Sequence, residues 1–290
     1  MILICDCGST KAEWVLLDGA KVEKRFVTDG FNPNFSDNNA MNDIVKQSLI
    51  NVVDYHDVSD VYFYGSGCAS AANQVKVKLI FNKFYPLSKA EVYPDTLAAC
   101  HALFGDKPGI ACILGTGSNA CVYNGSEITE SVASLGFMIG DEGSGCHIGK
   151  RIVHDYFLGL MPNDLRTEFD AKYHLDREAF LKKVYQGEQP SRYLAEFAKF
   201  AGENIDNQYV VKAVGECFEQ FIQSSFRPTA GSGEISDSVA FVGSVAFGFK
   251  DILVKCLANH NIKCEKILKN PMDGLIEFYK DQNAMESLIL

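Results

Sequence analysis

The sequence predicts an α/β protein made of two related halves. The first half opens with a β-meander and continues with alternating strands and helices. Its opening hairpin recurs after residue 109, so that Gly8-Ser9 aligns with Gly117-Ser118. A charged stretch from 143 to 226 has helical patterning and is typical of an insertion. Two copies of one hairpin therefore predict two domains of similar origin, the second carrying a helical insertion.

In the first half, apolar runs separated by short polar turns predict three antiparallel strands, over 2–6, 12–17 and 21–28. A helical pattern follows from Ser36 to about Val53, with Ser36 or Asp37 as its N-cap. The remaining elements are strands at 61–64 and 91–93 and helices at 71–84 and 95–104.

The second half repeats the hairpin around Gly115-Thr116-Gly117-Ser118 and then becomes helical. The expected strands are 110–114, 120–123, 239–242 and 266–268, and the expected helices are about 143–160, 177–186, 191–203, 208–226, 245–259 and 272–281. We expect one domain over 1–99, with the helix from 272 to 290 packing back on it. The second domain is expected over 100–271.

Composition and charge exclude several classes of protein. The 290 residues are 47% hydrophobic and 22% charged, which is ordinary for a folded chain. The 27 Lys and Arg against 37 Asp and Glu give a net charge of −10, so nucleic acid is not an expected partner. Apolar runs are strand-length, and Met1–Asp6 lacks a basic leader segment. We therefore expect a cytoplasmic protein with no membrane partner.

The ten cysteines lie mostly in apolar segments and form no CxxC pair. Cys5 and Cys7 share one face of a strand, but no second pair or histidine pair lies nearby to complete a tetrahedral metal site. Reduced, buried thiols that serve the core are the favoured interpretation.

Asp6-Cys7-Gly8-Ser9-Thr10-Lys11 places an acid near the end of a buried strand, directly before a turn rich in N–H and hydroxyl groups. Such a turn can bind an anion, and Gly8 allows close approach of a polyphosphate. Asp6 is placed to hold Mg²⁺ bound mostly through water. The spacing is not that of a P-loop. The alternative is an ordinary hairpin turn with a solvated Lys11.

Three further segments have glycines where chemistry could occur. The second turn, 115–118, could face the first and hold one phosphate chain from the other side. Gly140-Asp141-Glu142-Gly143-Ser144-Gly145 precedes an apolar helix, and a cap by Asp141 or Ser144 is its alternative explanation. Val242-Gly243-Ser244 joins a buried strand to a helix, where a ligand can approach the sheet.

Together with Asp95, and in this order along the chain, these motifs resemble the sugar kinase, heat-shock ATPase and actin superfamily. Within it they are most similar to the BadF/BadG/BcrA/BcrD ATPase group, which includes the N-acetylglucosamine kinases. The resemblance covers essentially the whole chain. It implies two RNase H-like domains with a central cleft, ATP and Mg²⁺ as cofactors, and a small sugar as substrate.

The resemblance also implies roles for individual residues. Asp95 corresponds to the acid that activates the accepting hydroxyl, and its alternative role is an N-cap. Asp6 would orient Mg²⁺ through water, and Gly136 and Asp141 would line the sugar pocket. Asn34 corresponds to the asparagine that contacts sugar hydroxyls, with Asn32 as its rival. The implied ATP-binding residues are Gly8, Ser9, Thr10, Lys11, Gly115, Thr116, Gly117, Ser118, Gly243 and Ser244.

Phosphorylation of an amino sugar, most simply N-acetylglucosamine, is the function this resemblance implies. Two features depart from the family pattern: Ser244 stands where a second glycine is common, and Ser134-Leu135-Gly136-Phe137 lacks paired glycines. An ATPase activator of a dehydratase is one alternative, although its iron–sulfur cluster would need grouped cysteines. A nucleotide-binding regulator without catalysis is another. The oligomeric state stays open, with a homodimer as one option.

Overall fold

The computed structural model describes residues 1–9, 11–226 and 238–289, with side chains up to residue 282. The chain divides into two compact units. Unit 1 comprises Met1–Lys107 and Pro271–Leu290, and unit 2 comprises Pro108–Asn270. Each unit contains one five-stranded sheet. The predicted fold class, a mixed α/β protein with two related domains and helices inserted in the second, is confirmed.

The strands have the following bounds: β1 (Ile2–Cys7), β2 (Lys11–Asp18), β3 (Lys21–Asp29), β4 (Asp60–Gly65), β5 (Lys89–Pro94), β6 (Gly109–Leu114), β7 (Ser118–Tyr123), β8 (Ile128–Ser131), β9 (Val239–Val242) and β10 (Cys264–Leu268).

The helices have the following bounds: α1 (Asn38–Ser48), α2 (Ala71–Phe84), α3 (Asp95–Phe104), α4 (Gly136–Ile139), α5 (Gly145–Leu158), α6 (Asn163–Tyr173), α7 (Arg177–Gln186), α8 (Pro190–Glu196), α9 (Ala198–Glu203), α10 (Gln208–Ser225), α11 (Ser244–Gly248), α12 (Lys250–Asn259) and α13 (Met272–Ile289). A short 3₁₀ helix occupies Tyr55–Asp57. Among the helices with described residues, none is both long and apolar enough to cross a membrane.

The two sheets have the same connectivity. In unit 1 the order is β3-β2-β1-β4-β5, with an antiparallel meander β1-β2-β3 and with β4 and β5 parallel to the central strand. In unit 2 the order is β8-β7-β6-β9-β10, again a meander followed by two parallel strands. Because carboxyl ends of parallel strands meet at one edge, each sheet gathers its turns and following loops at that edge.

Each unit has its own core. In unit 1, Trp14 packs its ring against Phe63 and Phe81 and donates a hydrogen bond from its indole nitrogen to Thr28 (2.9 Å). In unit 2 the inserted helices cover the sheet with aromatic residues such as Phe169 and Phe200, which are fully buried. These cores hold the sheet edges in place and so fix the geometry of the loops that leave them.

Several sequence predictions differ from the structure in extent. The helix expected over 36–53 spans only 38–48, because the chain turns after its C-cap, Leu49. The helix expected over 191–203 is two helices that meet at Phe197. Two elements, β8 and α6, were not predicted from the sequence pattern. β8 is a short polar edge strand, and α6 buries only Leu165 and Phe169, so neither has a strong hydrophobic pattern.

Candidate active site

The first turn predicted to bind phosphate, called the first phosphate turn below, connects β1 to β2. It is closed by a hydrogen bond from the Gly8 amide to the Lys11 carbonyl (3.0 Å), next to the strand pair Cys7 and Ala12. Gly8, Ser9 and Lys11 are exposed, so a backbone surface, a hydroxyl and an ammonium are available to an anion. Thr10, the fourth residue of this predicted site, lies outside the described residues.

Asp6 lies on β1 just before this turn, opposite Glu13 on β2 and Tyr64 on β4. Burial, and then the neighbouring charges of Asp95 and Glu13, raise its pKa to about 7. This carboxyl therefore lies in a buried region together with other negatively charged groups. One or two carboxylates with water are what Mg²⁺ commonly uses in nucleotide sites, so the donor set here fits the ion.

Asp95 is the first residue of α3, and Pro94 occupies the N-cap position without a capping side chain. The structure therefore corrects the alternative in which Asp95 is the N-cap. Asp95 is solvent-accessible. Desolvation of the carboxylate by the surrounding protein raises the pKa of Asp95. Hydrogen bonds from the amides of Thr96 and of Asp95 itself oppose that rise. An accessible carboxylate with a raised pKa is suited to accept a proton.

The second phosphate turn follows β6 in unit 2. The Gly115 amide donates to the Gly117 carbonyl (3.0 Å), which closes the turn. The N-terminus of α5 supports it from below, because the amides of Gly145 and Cys146 donate to the carbonyls of Gly115 (2.8 Å) and Thr116 (3.1 Å). The turn is consequently held by a helix end as well as by its own hairpin.

Asp141 lies against this second turn. Its carboxylate accepts a hydrogen bond from the Ser118 amide (3.2 Å), and a Cβ added to Gly117 would be 3.0 Å from the same carboxylate. Its backbone has a positive φ of 58°. The cap of α5 is Ser144, whose hydroxyl accepts from the His147 amide (3.1 Å), so Asp141 does not cap that helix. Asp141 is thus available for another role.

Gly136, the other residue predicted for the sugar pocket, begins the short helix α4. It has a φ of 69° and open space where a Cβ would lie. The helix exposes Met138 and Ile139, which are 73% and 74% accessible. Leu135, next to Gly136 in the chain, and Asp141 line one small cavity, together with Ser118.

Gly243 follows β9 and packs against the end of β6, directly before the second turn. A Cβ at this position would lie 2.1 Å from the Leu114 carbonyl oxygen, and its φ of 131° is one that other residues rarely adopt. Its amide donates to the Leu268 carbonyl (2.9 Å). Position 243 therefore requires glycine, because only glycine allows the end of β9 to pack this closely against the end of β6.

A cavity of about 400 Å³ in unit 2 contains residues of both turns, namely Gly115, Thr116 and Ser244. The size suits part of a nucleotide, and backbone groups line the cradle. Its opposite wall comes from α8 and α9 and includes Arg192, Glu196 and Lys199. Sequence reasoning missed these three, because they stand in ordinary amphipathic helices without a motif.

Asn32 and Asn34 lie in the loop after β3, and the structure distinguishes them. Asn32 is buried, with 8% of its surface accessible. Its amide nitrogen donates to Ser9 (3.2 Å) and Ser66 (3.3 Å), and its amide oxygen accepts from the Asn34 backbone (3.0 Å). Asn34 is exposed, and its amide oxygen accepts from Asn73 (2.7 Å). The side chain of Asn32 therefore forms its hydrogen bonds within the protein, whereas the side chain of Asn34 is accessible to a ligand.

No cluster of three or more potential metal-ligating side chains exists among residues 1–9, 11–226 and 238–282. The carboxylates at the edge of the first sheet, Asp6 and Asp95, are accordingly the groups that could meet a hydrated cation. Backbone amides are also offered by the turn before Lys11 in unit 1 and, separately, by the turn at 115–118 in unit 2, beside the cavity that Ser244 lines.

Comparison with solved structures defines the class. No family model matches the sequence. A ROK family glucokinase from Streptomyces griseus, solved with glucose and AMPPNP, matches with a TM-score of 0.55 at 14% identity, covering 96% of this chain and 97% of its own. A putative N-acetylglucosamine kinase from Chromobacterium violaceum matches with a TM-score of 0.66 at 14% identity, over 96% of this chain and 98% of its own. The fold is thus one that these two kinases share.

A putative N-acetylglucosamine kinase from Porphyromonas gingivalis is more similar. It is 33% identical, with a TM-score of 0.91, and the match covers 97% of this chain and 99% of that one. The chain belongs to the same N-acetylglucosamine kinase-like family.

Proposed function

We propose that the protein transfers a phosphoryl group from ATP to a hydroxyl of an amino sugar, with N-acetylglucosamine or a close relative as acceptor. The observation that carries this proposal is the pair of carboxylates, Asp6 and Asp95, at the carboxyl edge of the first sheet. A module that only binds nucleotide has no use for an accessible base beside a cation site. The family relation to the Porphyromonas gingivalis protein, named as a putative N-acetylglucosamine kinase, supports the same conclusion.

In this proposal Asp95 is the general base. Its carboxylate accepts the proton of the attacking sugar hydroxyl as the bond to phosphorus forms. The amides of Thr96 and Asp95 hold the carboxylate in place at the start of α3. Phosphoryl transfer depends mainly on positioning and charge stabilisation, and the base supplies the remaining proton transfer.

Asp6 is proposed to hold Mg²⁺ through water. The ion, when bound, offsets the negative charge of the phosphates. Asp6 can serve only in its ionised form, and the raised pKa means that a substantial fraction is protonated near neutral pH when no cation is present. Binding of the cation would therefore release a proton from Asp6.

The nucleotide is assigned to three backbone turns. Residues 8–11 and 115–118 offer amides and hydroxyls to the phosphates, and Gly243 with Ser244 borders the cavity for the nucleoside. Arg192 and Lys199 add positive charge to that cavity. The sugar is assigned to Asn34, Gly136 and Asp141, while Asn32 supports the loop rather than contacting the sugar.

The remaining sequence expectations enter the proposal unchanged. We assign the protein to the cytoplasm, with a small sugar as its partner and without nucleic acid.

The alternative function, an ATPase activator of a dehydratase, finds less support in the described residues. A bridging iron–sulfur cluster needs accessible thiolates at a subunit interface. Nine of the ten cysteines are buried, and Cys264 is partly buried. Burial raises the pKa of Cys146 to about 11 and the pKa values of Cys68 and Cys217 to about 12, so these thiols stay protonated.

ADP release tests the proposal directly. The purified protein is assayed with MgATP and, in separate reactions, N-acetylglucosamine, glucosamine, N-acetylmannosamine, N-acetylmuramic acid and glucose. We expect ADP formation that depends on sugar, with the highest kcat/KM for N-acetylglucosamine or a close relative. ADP release without any sugar dependence would contradict the proposal.

A further inference from the structure

Three asparagines in unit 1 form one hydrogen-bonded chain from the first phosphate turn to the exposed amide of Asn34. Asn32 joins Ser9 to the Asn34 backbone, and Asn73 on α2 joins the Asn34 side chain to the Gly67 carbonyl. Asn73 was not among the predicted site residues, and the proposed function gives it no role.

Backbone partners fix the orientation of these amides. The Gly67 carbonyl can only accept, so the Asn73 atom 2.8 Å from it must be the amide nitrogen. That nitrogen has two hydrogens, and its second acceptor at 2.7 Å is consequently the amide oxygen of Asn34. The same reasoning applies to Asn32, because the Asn34 backbone N–H can only donate.

The consequence is a defined polarity at Asn34. Because its oxygen is turned toward Asn73, Asn34 has its amide NH₂ group on the other side, where it can donate to a ligand. The residue is exposed, as a ligand-binding group must be. The loop beneath it is rigid, because Phe31 is buried against Phe63 and the Lys76 ammonium donates to the Pro33 carbonyl (3.1 Å).

α2 holds Asn73 itself in place. Asn73 lies in the first turn of this helix, where its backbone N–H donates to the N-cap hydroxyl of Ser70 (3.3 Å). Gly67 has a φ of 81°, and a Cβ there would come within 2.2 Å of the Asn32 amide oxygen. The whole chain of asparagines is therefore packed into one arrangement.

We propose that Asn73 is a positioning residue for sugar recognition, which it serves by orienting the Asn34 amide so that NH₂ faces an acceptor oxygen of the sugar. This inference rests on the proposed function, since it assigns Asn34 to the sugar. Asn73 itself touches no substrate, and its whole effect passes through Asn34.

A double-mutant cycle tests this path. Sugar dissociation constants are measured by calorimetry for wild type, Asn73→Ala, Asn34→Ala and the double variant, and KM and kcat are measured by ADP release. We expect Asn73→Ala to raise both the sugar Kd and its KM roughly tenfold, in line with one hydrogen bond, with kcat lowered less than threefold. In the Asn34→Ala background the same substitution should change Kd less than about twofold.

Two further variants keep the test decisive. Asn73→Asp preserves size and suits the first turn of a helix, but its oxygens cannot donate to Gly67. It should weaken sugar binding at least as much as Asn73→Ala while melting within a few degrees of wild type. Asn82→Ala is the matched control, because Asn82 is exposed on the same helix about 13 Å further along it.

The outcomes separate the two proposals. If wild type binds and phosphorylates sugar but the Asn73 variants bind it normally, the positioning role is wrong and the proposed function stands. An equal loss of affinity in both backgrounds would also overturn the role, because it would show a purely structural effect. If wild type neither binds nor phosphorylates any sugar, the proposed function fails and this inference fails with it.

Discussion

The two sheets share one connectivity but differ at the edge where the predicted sites lie. Asp6 stands one residue before the closing pair of the first hairpin, Cys7 and Ala12. The equivalent position in the second hairpin, before the pair Leu114 and Ser118, is Ile113. The repeated hairpin has therefore kept its backbone in both units while a carboxylate is present in only the first.

The two turns also differ in what holds them. A Cβ on Gly8 would lie 3.4 Å from the nearest atom, an ordinary contact, whereas a Cβ on Gly30 would lie 2.0 Å from the Gly8 carbonyl oxygen, so the loop after β3 packs against the first turn. The second turn is enclosed by α5, Asp141 and Gly243, the last of which touches the Leu114 backbone. The first turn is thus backed by the loop after β3, and the second by a helix end and a neighbouring carboxylate.

The largest expected effect comes from removing the base in unit 1. We expect Asp95→Asn to lower kcat by at least about 100-fold, the usual size of a general-base contribution, because asparagine cannot take the proton. ATP affinity and melting temperature should change little, since Asp95 makes no side-chain cap. Asp106→Asn, an exposed acid just after the same helix, is the control and should retain activity. Turnover near that of wild type in Asp95→Asn would place the base elsewhere, with Asp141 the next residue to test.

The second effect concerns the pH dependence of stability that the buried carboxyl of Asp6 gives to the first sheet. Because its folded pKa, about 7, exceeds the ordinary value of 3.8, the folded state keeps a proton that the unfolded state loses. The contribution to stability is full below about pH 4 and is lost as pH rises through about 7. Without Mg²⁺ and nucleotide, the melting temperature of the wild type should fall between about pH 4 and about pH 7. The melting temperature of Asp6→Asn should fall less over the same range, as measured by thermal melts.

Activity should respond to Asp6 in the opposite direction. Only the ionised carboxylate can hold the hydrated cation, so kcat/KM for MgATP should rise with pH through about 7. Asp6→Asn should lose most activity at every pH while folding normally. Parallel melting curves for the two proteins across the pH range would show that the Asp6 carboxyl is not perturbed.

The third effect compares Gly243, which packs against the second turn, with Gly8 in the first turn. Gly243→Ala should lower both melting temperature and ATP affinity, the latter by about tenfold or more, because its Cβ would meet the Leu114 backbone at 2.1 Å. Gly8→Ala should keep the melting temperature and raise only the KM for ATP. Thermal melts and ATP titrations distinguish the two variants. An equal fall in melting temperature would mean that Gly8 is packed as tightly as Gly243.

The smallest effect is expected at Ser244. Replacing it with glycine removes one hydroxymethyl group from the wall of a 400 Å³ cavity. We expect the KM for ATP to change by no more than about threefold, measured alongside GTP. A change of more than tenfold, or a switch in nucleotide preference, would show that Ser244 selects the nucleotide.

The sequence alone determined the elements that depend on local pattern. The bounds of α2 and α3 were predicted to the residue, since their starts and ends carry clear signals such as Ser70 before the first turn of α2. The paired Gly-Ser turns and the duplicated hairpin predicted two related sheets, because alternation and turn residues are properties of short segments. The buried state of the cysteines followed from the apolar segments around them.

Only the tertiary structure decided which side chains meet. The sequence does not distinguish Asn32 from Asn34, because both are asparagines of one loop. Their different hydrogen bonding arises from Ser66 and Asn73, which lie more than 30 residues away in the chain. The raised pKa of Asp6 likewise comes first from its burial and then from the charge of Asp95, which lies at the start of α3 after β5. The wall formed by Arg192, Glu196 and Lys199 exists because two inserted helices fold against the second turn. Such contacts depend on how distant segments pack, which no local pattern encodes.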